Sequence, residues 1–191
     1  PAGYYASRAA IIGGCAGTSN VRAGRDFGVP IFGTMAHSFV QRYDDELTAF
    51  RDFAEAWPNN CVLLVDTYDT LRSGIPNAIR VGREMAKRGQ PLLGIRLDSG
   101  DVVAQSQFAR RHFDQQRLPF FQIFVSGNLD EYEISDMLAA GGQFDGFGVG
   151  THFTVSKQAP SVGIVYKLAQ YGDRPLHKTS ADKATLPGRK N

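Results

Sequence analysis

Short apolar runs, each closing on polar or glycine residues, recur along this chain and constrain its fold more than any other feature. Cys61-Val62-Leu63-Leu64-Val65 runs into Asp66-Thr67. Leu92-Leu93-Gly94-Ile95 runs into Arg96-Leu97-Asp98-Ser99-Gly100-Asp101, and Gln122-Ile123-Phe124-Val125 into Ser126-Gly127-Asn128. Ile31-Phe32-Gly33 before Thr34, and Phe144 to Val149 before Gly150-Thr151, complete the set. Apolar runs this short, bounded by turn formers, read as buried strands.

Helical patterns lie between them. Asp45 to Trp57 spaces Leu47, Phe50, Ala54 and Trp57 along one face, and Pro58 stops it. Ile75 to Lys87 gathers Ile75, Ile79, Val81 and Met85 before Gly89. Val102 to Phe113 follows Asp101, a suitable N-cap, and Asp130 to Ala140 carries acids in its first turn. Pro1 to Ile12 also reads as a helix. Strands alternating with helices at intervals of about 30 residues make βαβ units and a parallel sheet. The class is therefore α/β. The pattern does not choose between a closed barrel and an open doubly wound sheet.

Composition narrows the function. Lys and Arg number 21 against 19 Asp and Glu, which gives no electrostatic case for a nucleic-acid groove or an anionic membrane. An anionic ligand must be caught by a local site. No apolar run approaches the roughly 20 residues that span a bilayer, and no signal segment opens the chain. Cys15 and Cys61 form no CxxC pair and no zinc spacing, so a reduced cytoplasmic protein is the expectation. The chain opens inside a helical pattern with no cap upstream and stops after the Pro187-Gly188 turn, so a longer polypeptide is expected.

The chemistry gathers at the carboxyl ends of the strands, the edge that carries the site in barrels and open parallel sheets alike. Arg96 and Asp98 share one face of their strand, Ile95 and Leu97 the other. Charges pointing inward there either bind a ligand or pair with each other. The Arg96 guanidinium suits a carboxylate or phosphate. Asp98 suits a ribose hydroxyl, a metal-bound water or a developing cation. Gly146, Gly148 and Gly150 alternate before Thr151, allowing close approach of a ligand to the backbone, and Ser126-Gly127-Asn128 forms a second such turn. His37 stands past a strand end between Thr34 and Ser38; a general base, a phosphate-accepting nucleophile and a structural residue all remain open for it. His112 reads as surface, His152 is ambiguous and His177 lies in the tail. The stretch from Lys183 to Lys190 reads as a solvated basic tail, and Gly13 to Thr18 as a helix stop rather than a nucleotide loop.

The segment Gly33-Thr34-Met35-Ala36-His37-Ser38 resembles the histidine signature of nicotinate phosphoribosyltransferases. Gly17-Thr18-Ser19-Asn20, Val65-Asp66-Thr67-Tyr68-Asp69-Thr70, Arg96 to Asp101, Ser126 to Glu131, Gly148-Val149-Gly150-Thr151 and Lys183 to Gly188 fit the same family in the same order. The resemblance implies an irregular, TIM-like α/β barrel spanning residues 1–191 as one catalytic domain, incomplete here. It implies transfer of a phosphoribosyl group from phosphoribosyl pyrophosphate to nicotinate, coupled to ATP hydrolysis, in NAD biosynthesis. His37 would be the residue phosphorylated by ATP, and Asp98 would sit near the ribose or pyridine nitrogen. Thr34 and Thr151 would contact the phosphoribosyl substrate, and Arg96 would hold the nicotinate carboxylate. Ser126, Gly127, Asn128, Gly148 and Gly150 would meet phosphate. Mg²⁺ would accompany pyrophosphate, with no metal ligand assigned. The resemblance further implies a homodimer with a shared site, an N-terminal domain that supplies an aromatic stack for the pyridine ring, and residues beyond the Pro187-Gly188 turn. A nicotinamide or quinolinate phosphoribosyltransferase and a non-catalytic barrel binding a phosphorylated sugar are the alternatives.

Overall fold

The computed structural model describes residues 2–155, 162, 164, 166–179 and 184–188. Four parallel strands form its centre: β1 (Val62–Leu64), β2 (Gly94–Leu97), β3 (Gln122–Ser126) and β4 (Gly146–Gly148), paired in that order. The register sets Leu64 beside Arg96, Arg96 beside Phe124, Phe124 beside Gly146, and Ser126 beside Gly148. Where strand order follows chain order, crossovers of one hand keep the connecting helices on one face of the sheet. A doubly wound sheet reverses its order at a switch point, and no reversal occurs among these strands.

Helices precede and separate the strands: α1 (Ala2–Ile12), α2 (Val21–Phe27), α3 (His37–Gln41), α4 (Glu46–Ala56), α5 (Ile75–Lys87), α6 (Val102–Gln115), α7 (Glu131–Ala139) and α8 (Thr151–Thr154). Local chemistry explains their starts. The Asp45 carboxylate caps α4 through the Thr48 amide at 2.9 Å, and Asp101 caps α6 through the Ala104 amide at 2.9 Å. Asp130 and Glu133 form a reciprocal capping box on α7. A π-helical turn, Thr70–Gly74, leads into α5, and the Asp69 carboxylate accepts from the Leu71 and Arg72 amides at its start.

The core lies between the sheet and the helices. Ile95, Leu97 and Ile123 are fully buried and cluster with Ile75, Val81 and Met85 of α5 and Ala109 and Phe113 of α6. The alternate residues Arg96, Gln122, Phe124 and Ser126 are only partly buried, so the other sheet face carries the polar groups.

Four expectations need correction. Ile31-Phe32-Gly33 is not a strand of the sheet; Ile31 makes one isolated parallel bridge to Thr18. Pro30 lacks an amide donor and Gly33 interrupts the run, leaving too little chain to extend a ladder. Trp57 is exposed rather than on the buried face of α4, where Ala49 takes the core position instead. The tail is not uniformly solvated: the Thr185 amide donates to the Lys178 carbonyl at 3.1 Å, although Lys183, Arg189 and Lys190 lie outside the described residues. His112 is half-buried, its ring stacked on Phe108. The pattern also missed α2, α3, α8 and a hairpin of β5 (Gln170–Tyr171) and β6 (Arg174–Pro175), all short elements with few periodic positions. Cys15 and Cys61 are both free thiols, and burial pushes the Cys61 thiol up to about 12. Among the described residues no helix is long and apolar enough to cross a membrane.

Candidate active site

The carboxyl ends of β1, β2 and β3 bring four polar residues to one edge. Asp66 and Thr67 follow β1, Asp98 follows β2, and Ser126 ends β3. His37 opens α3 and reaches this edge from the segment before the sheet. Its Nδ1 lies 3.0 Å from Thr67 Oγ1. Its Nε2 lies 3.8 Å from Asp98 Oδ2 and 4.0 Å from Asp66 Oδ1.

Each carboxylate is held in place. The Ser126 hydroxyl donates to Asp98 Oδ1 at 2.7 Å, and the Ser99 hydroxyl donates to Asp66 Oδ2. Asp66 is fully buried, and its Oδ1 has no hydrogen-bond partner among the described residues. Burying a carboxylate costs several kcal/mol, on the order of that for any isolated ion, unless a cation lies near. That cation is Lys178, 2% exposed, with Nζ 3.9 Å from Asp66 Oδ2 and 2.7 Å from His37 Nε2. The Lys178 amide donates to Thr185 Oγ1 at 2.9 Å, and the next amide, Thr179, donates to the Thr67 carbonyl at 3.4 Å. The segment bearing Lys178 is thus docked on the same residue that holds the His37 ring.

Arg96 projects from β2 beside this group. Its Nη1 donates to Thr34 Oγ1 and its Nη2 to the Met35 carbonyl at 3.3 Å, so it clamps the segment that delivers His37. Its Nε is buried without a partner among the described residues. Burial lowers the Arg96 pKa from the usual arginine value, while the nearby Asp98 and Asp66 carboxylates raise it. A cavity of about 200 Å³ opens beside His37 and Lys178 and is bounded in part by Ser38, Lys167 and Thr185.

The structure therefore joins Thr34, His37, Arg96, Asp98 and Ser126 through direct hydrogen bonds or charged contacts. Gly148 sits one strand away, opposite Ser126. Gly127 and Asn128 form the turn after β3, both at positive φ. Gly150 and Thr151 start α8 on the next turn, and no described bond ties Gly127, Asn128, Gly150 or Thr151 to the His37 group. Two of the alternating glycines have a packing reason: a Cβ at Gly146 would overlap the Phe124 ring, and one at Gly148 would crowd Ser126. Around Gly150 there is open space instead.

Asp66, Thr67 and Lys178 were missed as site residues by the sequence reading. The first two carried a signal, since they directly follow the most apolar strand. Lys178 carried none, because a lone lysine after a short hairpin looks like any solvated cation.

A second polar cluster lies apart from the first. Asp130, Glu133 and His152 place ligand atoms within 4.8 Å of one another, with His152 Nδ1 3.8 Å from Glu133 Oε2. The capping of α7 accounts for Asp130 and Glu133.

Comparison with known proteins gives this edge a context. A nicotinate phosphoribosyltransferase of Bacillus subtilis (strain 168) is 45% identical over 99% of this chain and 39% of its own length. One from Mycobacterium tuberculosis is 45% identical over 96% of this chain and 39% of its own length. The crystal structure of human nicotinic acid phosphoribosyltransferase superposes with a TM-score of 0.70 at 30% identity, covering 77% of this chain and 40% of that one. The chain thus spans about two-fifths of the length of these curated relatives. The model of the nicotinate phosphoribosyltransferase (NAPRTase) family matches residues 6–184, and on that match the chain belongs to this family.

Proposed function

We propose that the full-length protein transfers a phosphoribosyl group from phosphoribosyl pyrophosphate to nicotinate, coupled to ATP hydrolysis, and so serves NAD biosynthesis in the cytoplasm. The observation that carries this reading is the gathering of Thr34, His37, Arg96, Asp98 and Ser126 at the carboxyl edge of a parallel sheet. The unbroken strand order supports an arc of an irregular barrel, of which residues 1–191 supply one part. Shared sites across a homodimer, and an aromatic stack from an N-terminal domain, complete the reading.

Phosphoribosyl transfer passes through a cation-like sugar carbon while pyrophosphate leaves as an anion, so the protein contributes mainly position and charge. In this reading Arg96 holds the nicotinate carboxylate; its Nε, without a partner among the described residues, supports it, and the bond to Thr34 makes Thr34 both a clamp and a substrate contact. Asp98, oriented by Ser126, faces the developing positive charge. His37 accepts the phosphoryl group of ATP. The turns at Ser126-Gly127-Asn128 and Gly148 to Thr151 offer backbone donors to phosphate, which the open space at Gly150 supports.

The donors also suit a hard cation. Carboxylate oxygens of Asp66 and Asp98 lie within 4.8 Å of each other, and Asp66 Oδ1 is buried without a hydrogen bond among the described residues. These two residues would hold Mg²⁺, which when bound neutralises charge on the departing pyrophosphate.

The test offers nicotinate, nicotinamide and quinolinate in parallel to the full-length protein, with and without ATP. Turnover of nicotinate, stimulated by ATP, is the expected result. Preference for either other substrate, or binding of phosphoribosyl pyrophosphate without turnover, overturns the assignment.

A further inference from the structure

The last carbonyls of any helix lack intrahelical donors, and in α3, only five residues long, they make up most of the element. One residue far along the chain supplies the donors. Arg174 of β6 sends Nη2 to the Gln41 carbonyl at 2.9 Å, the Arg42 carbonyl at 2.7 Å and the Tyr43 carbonyl at 3.2 Å. Its Nη1 donates to the Asp44 carboxylate. In return, the Arg42 guanidinium lies over the Tyr171 ring of β5, 5.4 Å from its centroid. The β5–β6 hairpin is thus fastened to the end of the helix that His37 opens.

These contacts are unequal. The Asp44 side chain is 95% exposed, so water and salt screen its ion pair with Arg174 and it holds little. The bonds to the Gln41 and Tyr43 carbonyls are partly buried, where water competes less. The carbonyl fork therefore does the fastening, and a planar guanidinium suits it better than a compact ammonium.

The cavity of about 200 Å³ lies on the same seam. Ser38 and Gln41 border it from α3, and Lys167, Lys178 and Thr185 border it from the chain on either side of the hairpin. Two ammonium groups and two hydroxyls around one cavity suit a polyphosphate. Gln41 joins the two features, since it borders the cavity and gives its carbonyl to Arg174.

From this we infer that Arg174 is a positioning residue: by holding the hairpin on the carboxyl end of α3, it sets the spacing of the cavity walls and hence the affinity for a polyphosphate. The consequence for turnover rests on the ATP-coupled reading above.

The experiment uses the full-length protein, with inorganic triphosphate and nicotinate as separate calorimetric probes. Arg174→Met should weaken triphosphate binding at least about tenfold and leave nicotinate binding within about twofold. Arg174→Lys, which keeps the charge but not the fork, should fall between, and it keeps the proposal testable if the methionine variant does not fold. Asp44→Asn should bind both probes as wild type does. Hydrogen exchange in R174M should quicken at the Leu176, Lys178 and Thr179 amides, which tie the segment after the hairpin to Ala169, Thr185 and Thr67, and stay as in wild type along β1 to β3. Under turnover, R174M should raise KM for ATP about tenfold, with kcat at saturating ATP within about twofold. Triphosphate binding that is absent from wild type or unchanged in R174M overturns the inference. So does equal weakening of both probes, which marks a general loss of fold, or a D44N protein that behaves like R174M. The expected binding and exchange pattern in a protein that ATP does not stimulate overturns the ATP-coupled reading and leaves the positioning role standing.

Discussion

Ser126 and Asp98, on neighbouring turns of the sheet edge, are joined by a hydroxyl-to-carboxylate hydrogen bond of 2.7 Å. The bond spans the β2–β3 seam, where Leu97 pairs with Val125 in register. It fixes which carboxylate oxygen turns toward His37. Ser126→Ala should therefore lower kcat/KM for phosphoribosyl transfer about tenfold, the equivalent of roughly 1.4 kcal/mol for one bond to a charged group. The melting temperature should hardly move, because Asp98 is partly exposed and water can replace the hydroxyl. Steady-state kinetics with thermal denaturation of the same samples checks both halves.

On the proposed reading, His37→Ala removes the residue that accepts phosphate but leaves Arg96 and Asp98 in place. ATP stimulation should vanish while some ATP-independent formation of nicotinate mononucleotide persists. Stimulation equal to wild type would dismiss the role of His37.

Arg96 presents a planar fork, two arms of which already bond Thr34 and the Met35 carbonyl. Lysine cannot make both contacts and meet a carboxylate as well. Arg96→Lys should raise KM for nicotinate by about tenfold or more, with a smaller change for nicotinamide, which has no carboxylate charge to lose. Equal losses for the two substrates would indicate that the effect runs through the clamp on Thr34 alone.

Glu46 is buried on α4, accepts from Asn77 Nδ2 at 2.9 Å, and leaves its Oε1 without a hydrogen bond among the described residues. Burial raises its pKa above the usual 4.5, against the lowering effect of the Asn77 hydrogen bond and the nearby Ser73 side chain. Because the folded state holds the proton more tightly than the unfolded chain, this stabilisation is full below the unfolded value. It is lost as pH rises through the raised folded value. Glu46→Gln keeps an acceptor for Asn77 and removes the titration. Melting temperatures of variant and wild type should therefore diverge in favour of the variant as pH rises from about 4.5 toward neutrality. A difference independent of pH would show that Glu46 does not titrate in the fold.

Gly94 of β2 pairs with Gln122 of β3, and a Cβ there would overlap the Gln122 carbonyl. Gly94→Ala should destabilise the protein by about 1–3 kcal/mol, since backbone cannot move aside as a side chain can. Activity should fall further than stability alone explains, because the same strand pair carries Arg96 and Ser126. Chemical denaturation and kinetics on one preparation separate the two effects.

Much of this was legible in the chain itself. The strands β1 to β4, the long helices α4 to α7 and the cap at Asp101 follow from period and composition within a dozen residues of each other, whereas Asp45 and Asp130 read as helix residues and only the structure shows them as caps. So does the placement of Arg96 and Asp98 on one face, because side chains alternate along any strand. Those properties are local, and local sterics and burial decide them. Tertiary structure decided the rest. Ile31 pairs with Thr18 instead of joining the sheet, and the Gly146 and Gly148 spacing answers to Phe124 and Ser126. Lys178 reaches His37 across 141 positions of sequence. A contact of that span leaves no periodic trace, since its energy arises only when Asp66 is buried and needs a cation beside it.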